Sequence, residues 1–495
     1  MKGYVMAIDQ GTSSTKAMII DEGGRLVASS HATLAQSFPR PGWVEHDPEE
    51  IWGSVLETTR AVLASAGLAA DQLAAVGITN QRETTVVWDR TTGRALYPAI
   101  VWQDRRTAST CAALEEGVSD WVHARTGLRI DPYFSATKIA WILDHVEGLR
   151  PRADRGELAA GTIDSWLLWR MSAGRVHATD PTNASRTMLM DISTLQWDEG
   201  LCELFRVPSS MLGRIERGGE VLGESDPQVW GSPVPIAAVV GDQQAALLAQ
   251  RCVAPGQIKC TYGTGSFVLR HTGEQALTAS DALIATAAHS RTRTAQYALE
   301  GSLFTTGAAI QWLRDGLGII SEASESESLA RSVRDNADVW FVPALAGLGA
   351  PHWDPDARGL LIGVTRGTTR AHVVRATLES IAYQTREVVE AMDAQSGHVV
   401  RELRADGGAT SNAWLMQFQC DVLGVPLVVS ASPDITLWGA AYAAGLAVRL
   451  WDGYGDLPGA PGAQTRYEPS MDDDQRDELY ARWRLALARS AKWAS

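Results

Sequence analysis

The sequence predicts an α/β protein of two related domains, on three observations. Strand-like and helix-like segments alternate through both halves of the chain. A glycine-containing turn between two apolar strands occurs around Gly11 and again around Gly263 and Gly265, half a chain later. The 495 residues also exceed what a single hydrophobic core usually serves. The break falls near residues 242 to 256, which gives a first domain over 1–246 and a second over 247–495.

The elements follow in order. Val5 to Ile8 and Met18 to Ile20 read as strands on either side of Asp9-Gln10-Gly11-Thr12-Ser13-Ser14-Thr15-Lys16. A helix over Pro48 to Ala66 has a well-specified start: Asp47 at the N-cap, Pro48 at the first helical position, and Glu49 and Glu50 in the first turn. Ala74 to Ile78 and Thr84 to Trp88 are the next strands, and segments 151 to 160 and 271 to 282 read as surface loops. Pro235 to Val240 is a buried-strand pattern, with Gly241 as the turn and a helix over Gln243 to Gln250. Ile258 to Tyr262 and Ser266 to Leu269 flank the second turn. Ser321 to Glu327 reads as a solvated helix start, and a helix covers Thr369 to Met392. Asp406-Gly407-Gly408-Ala409 ends a strand before a helix over Ala413 to Leu423. The helix over Trp438 to Val448 is rich in Ala and Gly, which admits a close neighbour or a nucleotide. From Asp472 the tail is a charged amphipathic helix.

Composition narrows the function. A formal net charge of −14 disfavours nucleic acid and anionic membranes as partners, while a small anionic cofactor in a local basic pocket remains compatible. The cysteines Cys111, Cys202, Cys252, Cys260 and Cys420 are odd in number, far apart and without a C-x-x-C pair, so neither a zinc cluster nor a disulfide framework is indicated. No apolar run approaches about 20 residues and no cleavable leader is visible, so the chain is expected to be cytoplasmic, without a membrane span.

Chemistry concentrates in a few places. In the first turn, Gly11 lets the backbone approach an anion and Thr12, Ser13 and Ser14 add hydroxyl donors, the makings of a phosphate cradle. Asp9 offers the negative charge that a phosphate-bound Mg²⁺ needs. Two such hairpins facing each other can grip a nucleotide by its phosphates. No G-x-x-x-x-G-K-[ST] loop occurs, which removes the P-loop alternative, and the protein-kinase glycine loop and its partners are missing too. Asp242 sits at the C-terminal end of a buried strand, where open α/β sheets place their ligands; a helix N-cap would explain the same position. Arg82 and Glu83, adjacent in Asn80-Gln81-Arg82-Glu83-Thr84, suit a vicinal diol, since Arg donates to hydroxyl oxygens and Glu accepts hydroxyl protons. A solvated hairpin with a surface ion pair explains them as well. Trp102, Tyr133 and Phe267 fit the carbon side of a small polyol or, equally, the core. Glycines 407 and 408, just before a helix N-terminus, leave a flat approach for phosphate or adenine.

Taken together, Asp9 to Ser14, Pro41 to Asp47, Ile78 to Thr85, Asp131 to Phe134, Thr182 to Thr187, Gly241 to Ala246, Thr261 to Phe267 and Asp406 to Ala409 closely resemble the FGGY family of carbohydrate kinases, and within it the branch that acts on glycerol. The resemblance covers essentially the whole chain. It implies an actin-like ATPase fold of two ribonuclease-H-like domains with a nucleotide cleft between them, ATP and Mg²⁺ as cofactors, and glycerol as the acceptor. It further implies Arg82, Glu83, Tyr133, Asp242 and Gln243 as glycerol ligands, with Trp102 and Phe267 against the carbons. Thr12, Ser13, Ser14, Lys16, Thr264, Gly307, Gln311, Gly408 and Asn412 would then contact ATP or ADP, Asp9 and Asp242 would serve the metal, and Asp242 would be the general base. Lys16 departs from the arginine common in the family, exchanging a planar fork for a point charge. A homodimer or homotetramer is implied as well. Rival readings are a kinase for another polyol or ketose, such as erythritol or xylulose, and an actin-like ATP-binding regulator.

Overall fold

The computed structural model describes residues 3–278, 280, 282–430, 432–459 and 462–494. Its first strand, β1 (Tyr4–Gln10), shows why a three-layered domain forms. Val5 and Ala7 face one layer, Met6 and Ile8 face the other, and none of the four is exposed, so the strand must be covered on both sides. From β1 the chain returns antiparallel as β2 (Ser14–Asp21) and β3 (Leu26–Thr33), whereas β4 (Leu73–Asn80) and β5 (Pro235–Gly241) run parallel to it on the other side. The resulting order is β5-β4-β1-β2-β3, with a short antiparallel strand, Gly223–Glu224, beyond β5.

The second sheet repeats this plan. β6 (Ile258–Tyr262) is followed by the antiparallel β7 (Ser266–Gly273) and β8 (Tyr297–Leu303), and β9 (Leu403–Asp406) and β10 (Leu427–Ser430) run parallel to β6 on the other side, in the order β8-β7-β6-β9-β10. Equal order and equal directions in both sheets are the two related domains that the repeated turn anticipates, in the ribonuclease-H-like layout that the resemblance implies.

Helix Pro48–Ala66 covers the Met6 and Ile8 face through Ile51, Val55, Val62 and Leu63. Asp47 caps it by accepting from the Glu49 amide at 2.8 Å, and Gly67 ends it in the left-handed region at φ 64°. The Val5 and Ala7 face is covered by helix Asp242–Ala249 and by helix Ile435–Ala447, which comes from the far end of the chain. Its small residues serve this docking. A Cβ on Gly77 would lie 2.2 Å from the Ala440 carbonyl oxygen, and one on Gly439 would lie 1.9 Å from that of Ala245. The long helix Arg370–Ser396 and helix Ala413–Leu423 pack in the second core.

Two sequence expectations need correction. Segment 151–160 is not a surface loop: helix Leu149–Asp154 leads into the buried strand Leu158–Thr162, which pairs with Thr85–Asp89 in a small sheet at the side of the first domain. Gly and charged residues there mask a strand whose own apolar stretch is very short. Segment 271–282 begins with the buried end of β7, His271 to Gly273, before its loop, and positions 279 and 281 lie outside the described residues. Among the described residues, no helix is long and apolar enough to cross a membrane.

Candidate active site

The site begins from strand register. Gln10 pairs with Asn80, and Asn80 with Gly241, so the C-terminal ends of β1, β4 and β5 lie side by side. The segments that leave them are the first hairpin turn, the Gln81–Thr84 loop and the start of helix Asp242–Ala249. An open parallel sheet concentrates its ligands at this edge.

The loop after β4 is strained and buried. Glu83 has φ 63°, and the Thr84 amide donates to the Arg82 carbonyl at 2.7 Å across it, a γ-turn of the rarely occupied positive-φ form. Arg82 is 3% exposed and Glu83 is 2% exposed, so the solvated-hairpin explanation fails. Buried charge needs partners. Arg82 donates to both oxygens of Glu300, at 2.6 and 3.0 Å, and to Gln244 Oε1 at 3.3 Å. Arg186 donates through Nε to Glu83 at 2.6 Å, and its Nη2 lies 3.2 Å from Glu300. Burial works to raise the Glu300 carboxyl, but the Arg186 and Arg82 guanidiniums prevail and hold it down at about 2. Burial prevails at Glu83, whose carboxyl is pushed up against the pull of the same two arginines.

Asp242 completes the cluster. Gly241, not Asp242, is the N-cap residue; Asp242 stands in the first turn, where its Oδ1 accepts from the Gln243 amide at 2.7 Å. Its Oδ1 also lies 3.0 Å from Arg82 Nε, but off the line of a hydrogen bond, so that buried N–H has no acceptor among the described residues. Nη1 and Nη2 of Arg186 likewise lack one of hydrogen-bonding geometry. Asp242 keeps 29% of its side chain exposed. Gln243, next to it, receives a bond on Oε1 from Lys259 Nζ of β6 at 2.5 Å, which turns its amide nitrogen towards Asp242 Oδ2 at 3.3 Å. Burial drives the Lys259 amine down from its ordinary value.

The hairpins close the other side. In the first, the Gly11 amide donates to Ser14 at 2.9 Å, Ser13 is exposed, and Thr12, Ser14 and Lys16 are half-buried. Lys16 donates to Asp434 at 2.6 Å, and Thr436 donates to Asp9, so the start of helix Ile435–Ala447 lies against this turn. Asp9 is pushed up to about 6 by burial, opposed by the Thr436 bond and reinforced by the charge of Asp242. In the second hairpin the Gly263 amide donates to Gly265 at 2.9 Å, and the Gly307 amide returns to the Gly263 carbonyl at 3.0 Å, which sets Gly307 beside the exposed Thr264. Gln311 is exposed one helical turn on. Thr261 pairs with Asp406, so exposed Gly408 follows on the same edge, and Asn412 caps helix Ala413–Leu423 by accepting from the Leu415 amide at 2.9 Å.

Asp9 and Asp242, close enough that the charge of Asp242 helps to raise the Asp9 carboxyl, are a fitting pair for Mg²⁺, which takes one or two carboxylates and completes its shell with water and phosphate oxygens. Among the described residues there is no group of three acidic, His or Cys side chains that would make a closed cage.

Trp102 joins the two halves of the site: its indole N–H donates to Thr12 Oγ1 at 2.9 Å, and its ring meets Tyr133 edge-on at 5.7 Å between centroids. Tyr133 is packed in turn by Arg186, whose guanidinium lies 5.4 Å from the ring centre. Phe267, on β7, packs partly against Leu247, Cys252 and Leu269. The sequence pattern does not single out Arg186, Glu300, Lys259 or Gln244. Glu300 and Lys259 carry a signal all the same, since each is a lone charge inside an otherwise apolar strand.

Comparison with known proteins decides the family. Residues 4–249 match the N-terminal domain model of the FGGY family of carbohydrate kinases, and residues 258–448 match its C-terminal domain model. The chain belongs to the FGGY family of carbohydrate kinases. Among FGGY relatives it is 52% identical over 491 residues to glycerol kinase 2 of Thermotoga maritima, covering 99% of each chain. It is 50% identical over 494 residues to glycerol kinase of Escherichia coli, covering 99% of this chain and 98% of that one. The crystal structure of Plasmodium falciparum glycerol kinase with ADP superimposes with a TM-score of 0.93 at 36% identity, over 98% of both chains. The FGGY fold, two ribonuclease-H-like halves of the actin-like ATPase type, is therefore this chain's fold.

Proposed function

We propose that this FGGY kinase transfers the γ-phosphoryl group of ATP to glycerol, forming sn-glycerol 3-phosphate and ADP in glycerol catabolism. The observation that supports this best is the buried Arg82–Glu83 pair beside half-open Asp242, with an N–H of Arg82 that has no acceptor. A cleft that only sensed ATP has no use for this buried cluster, in which Arg82 Nε lies 3.0 Å from Asp242 Oδ1 but off the line of a hydrogen bond and can still donate to a ligand oxygen. The full-length relatives named glycerol kinase point the same way.

In this reading Arg82 donates to glycerol hydroxyl oxygens and Glu83 accepts their protons, with the Gln243 amide alongside, so two adjacent hydroxyls fix the triol and leave a terminal one at Asp242. That hydroxyl's oxygen attacks the γ-phosphorus, the bond from phosphorus to the β,γ-bridging oxygen breaks, and the hydroxyl proton passes to Asp242. Carboxylates are weak bases toward neutral alcohols, so the proton moves late. Trp102, Tyr133 and Phe267 lie against the carbons and limit acceptor length. The hairpin amides and hydroxyls of Thr12, Ser13, Ser14 and Thr264 receive the phosphates with Lys16, and Gly307, Gln311, Gly408 and Asn412 line the nucleoside side. Asp9 and Asp242 would hold Mg²⁺, which when bound would supply charge neutralisation for the phosphates. The setting is the cytosol, with two or four copies per assembly and two lobes dividing near residue 246.

The test is ADP release from ATP and Mg²⁺ with glycerol, dihydroxyacetone, erythritol, D-xylulose or no acceptor. Strong preference for glycerol supports the proposal; preference for D-xylulose, or turnover independent of acceptor, rejects it.

A further inference from the structure

Glu300 is a fully buried carboxylate in the middle of β8, a strand of the second sheet, yet its strongest partners belong to the first domain's site. Its two oxygens take both terminal nitrogens of Arg82, fork to fork, and the oxygen that accepts from Arg82 Nη2 also lies 3.2 Å from Arg186 Nη2. Ser302, two residues on, is 3.4 Å from that same oxygen. The two arginines are the ones that face the acids of the pocket: Arg82 Nε stands beside Asp242, and Arg186 Nε holds Glu83.

Removing the Glu300 charge changes what each guanidinium can do. Arg82 would keep only Gln244 at 3.3 Å on its fork and would be free to rotate Nε away from Asp242. Arg82 and Arg186 already repel one another, and Glu83 would be their one remaining buried counter-charge. Glu83 would then be drawn towards both guanidiniums and out of the orientation in which it faces a ligand. Stability alone is a poor account of such a cluster, because apolar side chains of similar volume commonly stabilise a core as well as buried ion networks do.

We propose that Glu300 is a positioning residue for polyol recognition: from the second sheet it fixes Arg82 and Arg186 so that the free Arg82 N–H and the carboxylates of Glu83 and Asp242 face the acceptor. The pocket for the acceptor is then built by one domain and aimed by the other, and it is complete only while β8 lies against the Arg82 loop. Glu300 touches neither substrate. The proposal rests on the reading of the cleft as a glycerol site.

Two variants separate charge from reach. Glu300→Gln keeps the size and removes the charge, and turns an amide NH₂ against a guanidinium; Glu300→Asp keeps the charge but draws it back by one methylene. Each full-length protein is assayed with Mg²⁺ and ATP for the KM of glycerol, the KM of ATP and kcat, with thermal melting alongside. The glycerol KM should rise at least about tenfold in Glu300→Gln, the ATP KM should stay within about twofold, and Glu300→Asp should fall between Glu300→Gln and the parent. Should Glu300→Gln fail to fold, a selective rise in glycerol KM in Glu300→Asp supports the proposal equally, and an unchanged one overturns it. A lower Tm with an unchanged glycerol KM, or equal rises in both KM values, would overturn the proposal and leave Glu300 a structural residue. Absence of glycerol turnover in the parent protein would overturn the proposal together with the reading beneath it.

Discussion

Arg186→Met tests the charge logic of the pocket from the side that the sequence hides. Arg186 has no exposure, its Nε holds Glu83 at 2.6 Å, and its ring contacts are Tyr133 and Phe134. Methionine fills much of the same volume without the charge. Two unit charges about 4 Å apart attract by about 4 kcal/mol at an effective dielectric constant of about 20, so Glu83 loses an attraction of that order. Glu83 escapes part of the cost by taking up a proton, which its burial already favours, and a protonated Glu83 no longer accepts as well from a glycerol hydroxyl. The net loss in glycerol binding should be about 3 kcal/mol, or roughly a hundredfold rise in KM. The rise should shrink as pH increases, because a raised acid regains its charge at higher pH. Arg186→Lys keeps the charge, loses the planar fork and should cost about tenfold. The assay is initial rate against glycerol at saturating ATP over a range of pH, with circular dichroism to show that the variant is folded. A folded Arg186→Met with parental glycerol KM at every pH would refute the reasoning.

Three further outcomes follow from particular contacts. Gly439→Ala should lower stability by about 3 kcal/mol or more, read as a fall in the melting temperature, because its Cβ would meet the Ala245 backbone 1.9 Å away and neither helix can retreat without opening the core; an unchanged melt would contradict that packing. The Arg186 and Arg82 guanidiniums hold the Glu300 carboxyl down at about 2 against an ordinary 4.5, so the stability its charge contributes is present above about pH 4.5 and is lost as pH falls through about 2; urea midpoints measured down that range should fall less in Glu300→Gln than in the parent. Trp102→Phe keeps the ring against Tyr133 and removes the donor to Thr12, so the ATP KM should rise about twofold to tenfold, with no change if that bond does not order the hairpin.

Much of the frame is legible in the sequence because its signals are local. Asp47-Pro48 fixes the start of helix Pro48–Ala66, and the two glycine turns fall between strands in both sheets. Asp242 stands out at the C-terminal end of a buried strand, and the Arg82–Glu83 pair because charged residues follow an apolar strand without a helical pattern to occupy them. What stays hidden depends on contacts far apart in sequence. Glu300 reaches Arg82, Lys259 reaches Gln243, and Thr436 and Asp434 reach Asp9 and Lys16, and nothing in the local pattern of either partner names the other. The buried strand Leu158–Thr162 is hidden for a related reason: it is short, and its burial comes from a helix and a strand elsewhere in the chain.

The central claim is that this cleft moves a phosphoryl group from ATP to glycerol with Asp242 taking the proton. The most direct test is kcat and glycerol KM for Asp242→Asn beside the parent protein, with ATP, Mg²⁺ and glycerol. The account predicts a fall in kcat of about a hundredfold to ten-thousandfold with a much smaller change in glycerol KM, because the amide keeps the shape and one accepting oxygen for the Gln243 amide but cannot accept the proton as a carboxylate does. Near-parental kcat in the Asn variant would contradict it.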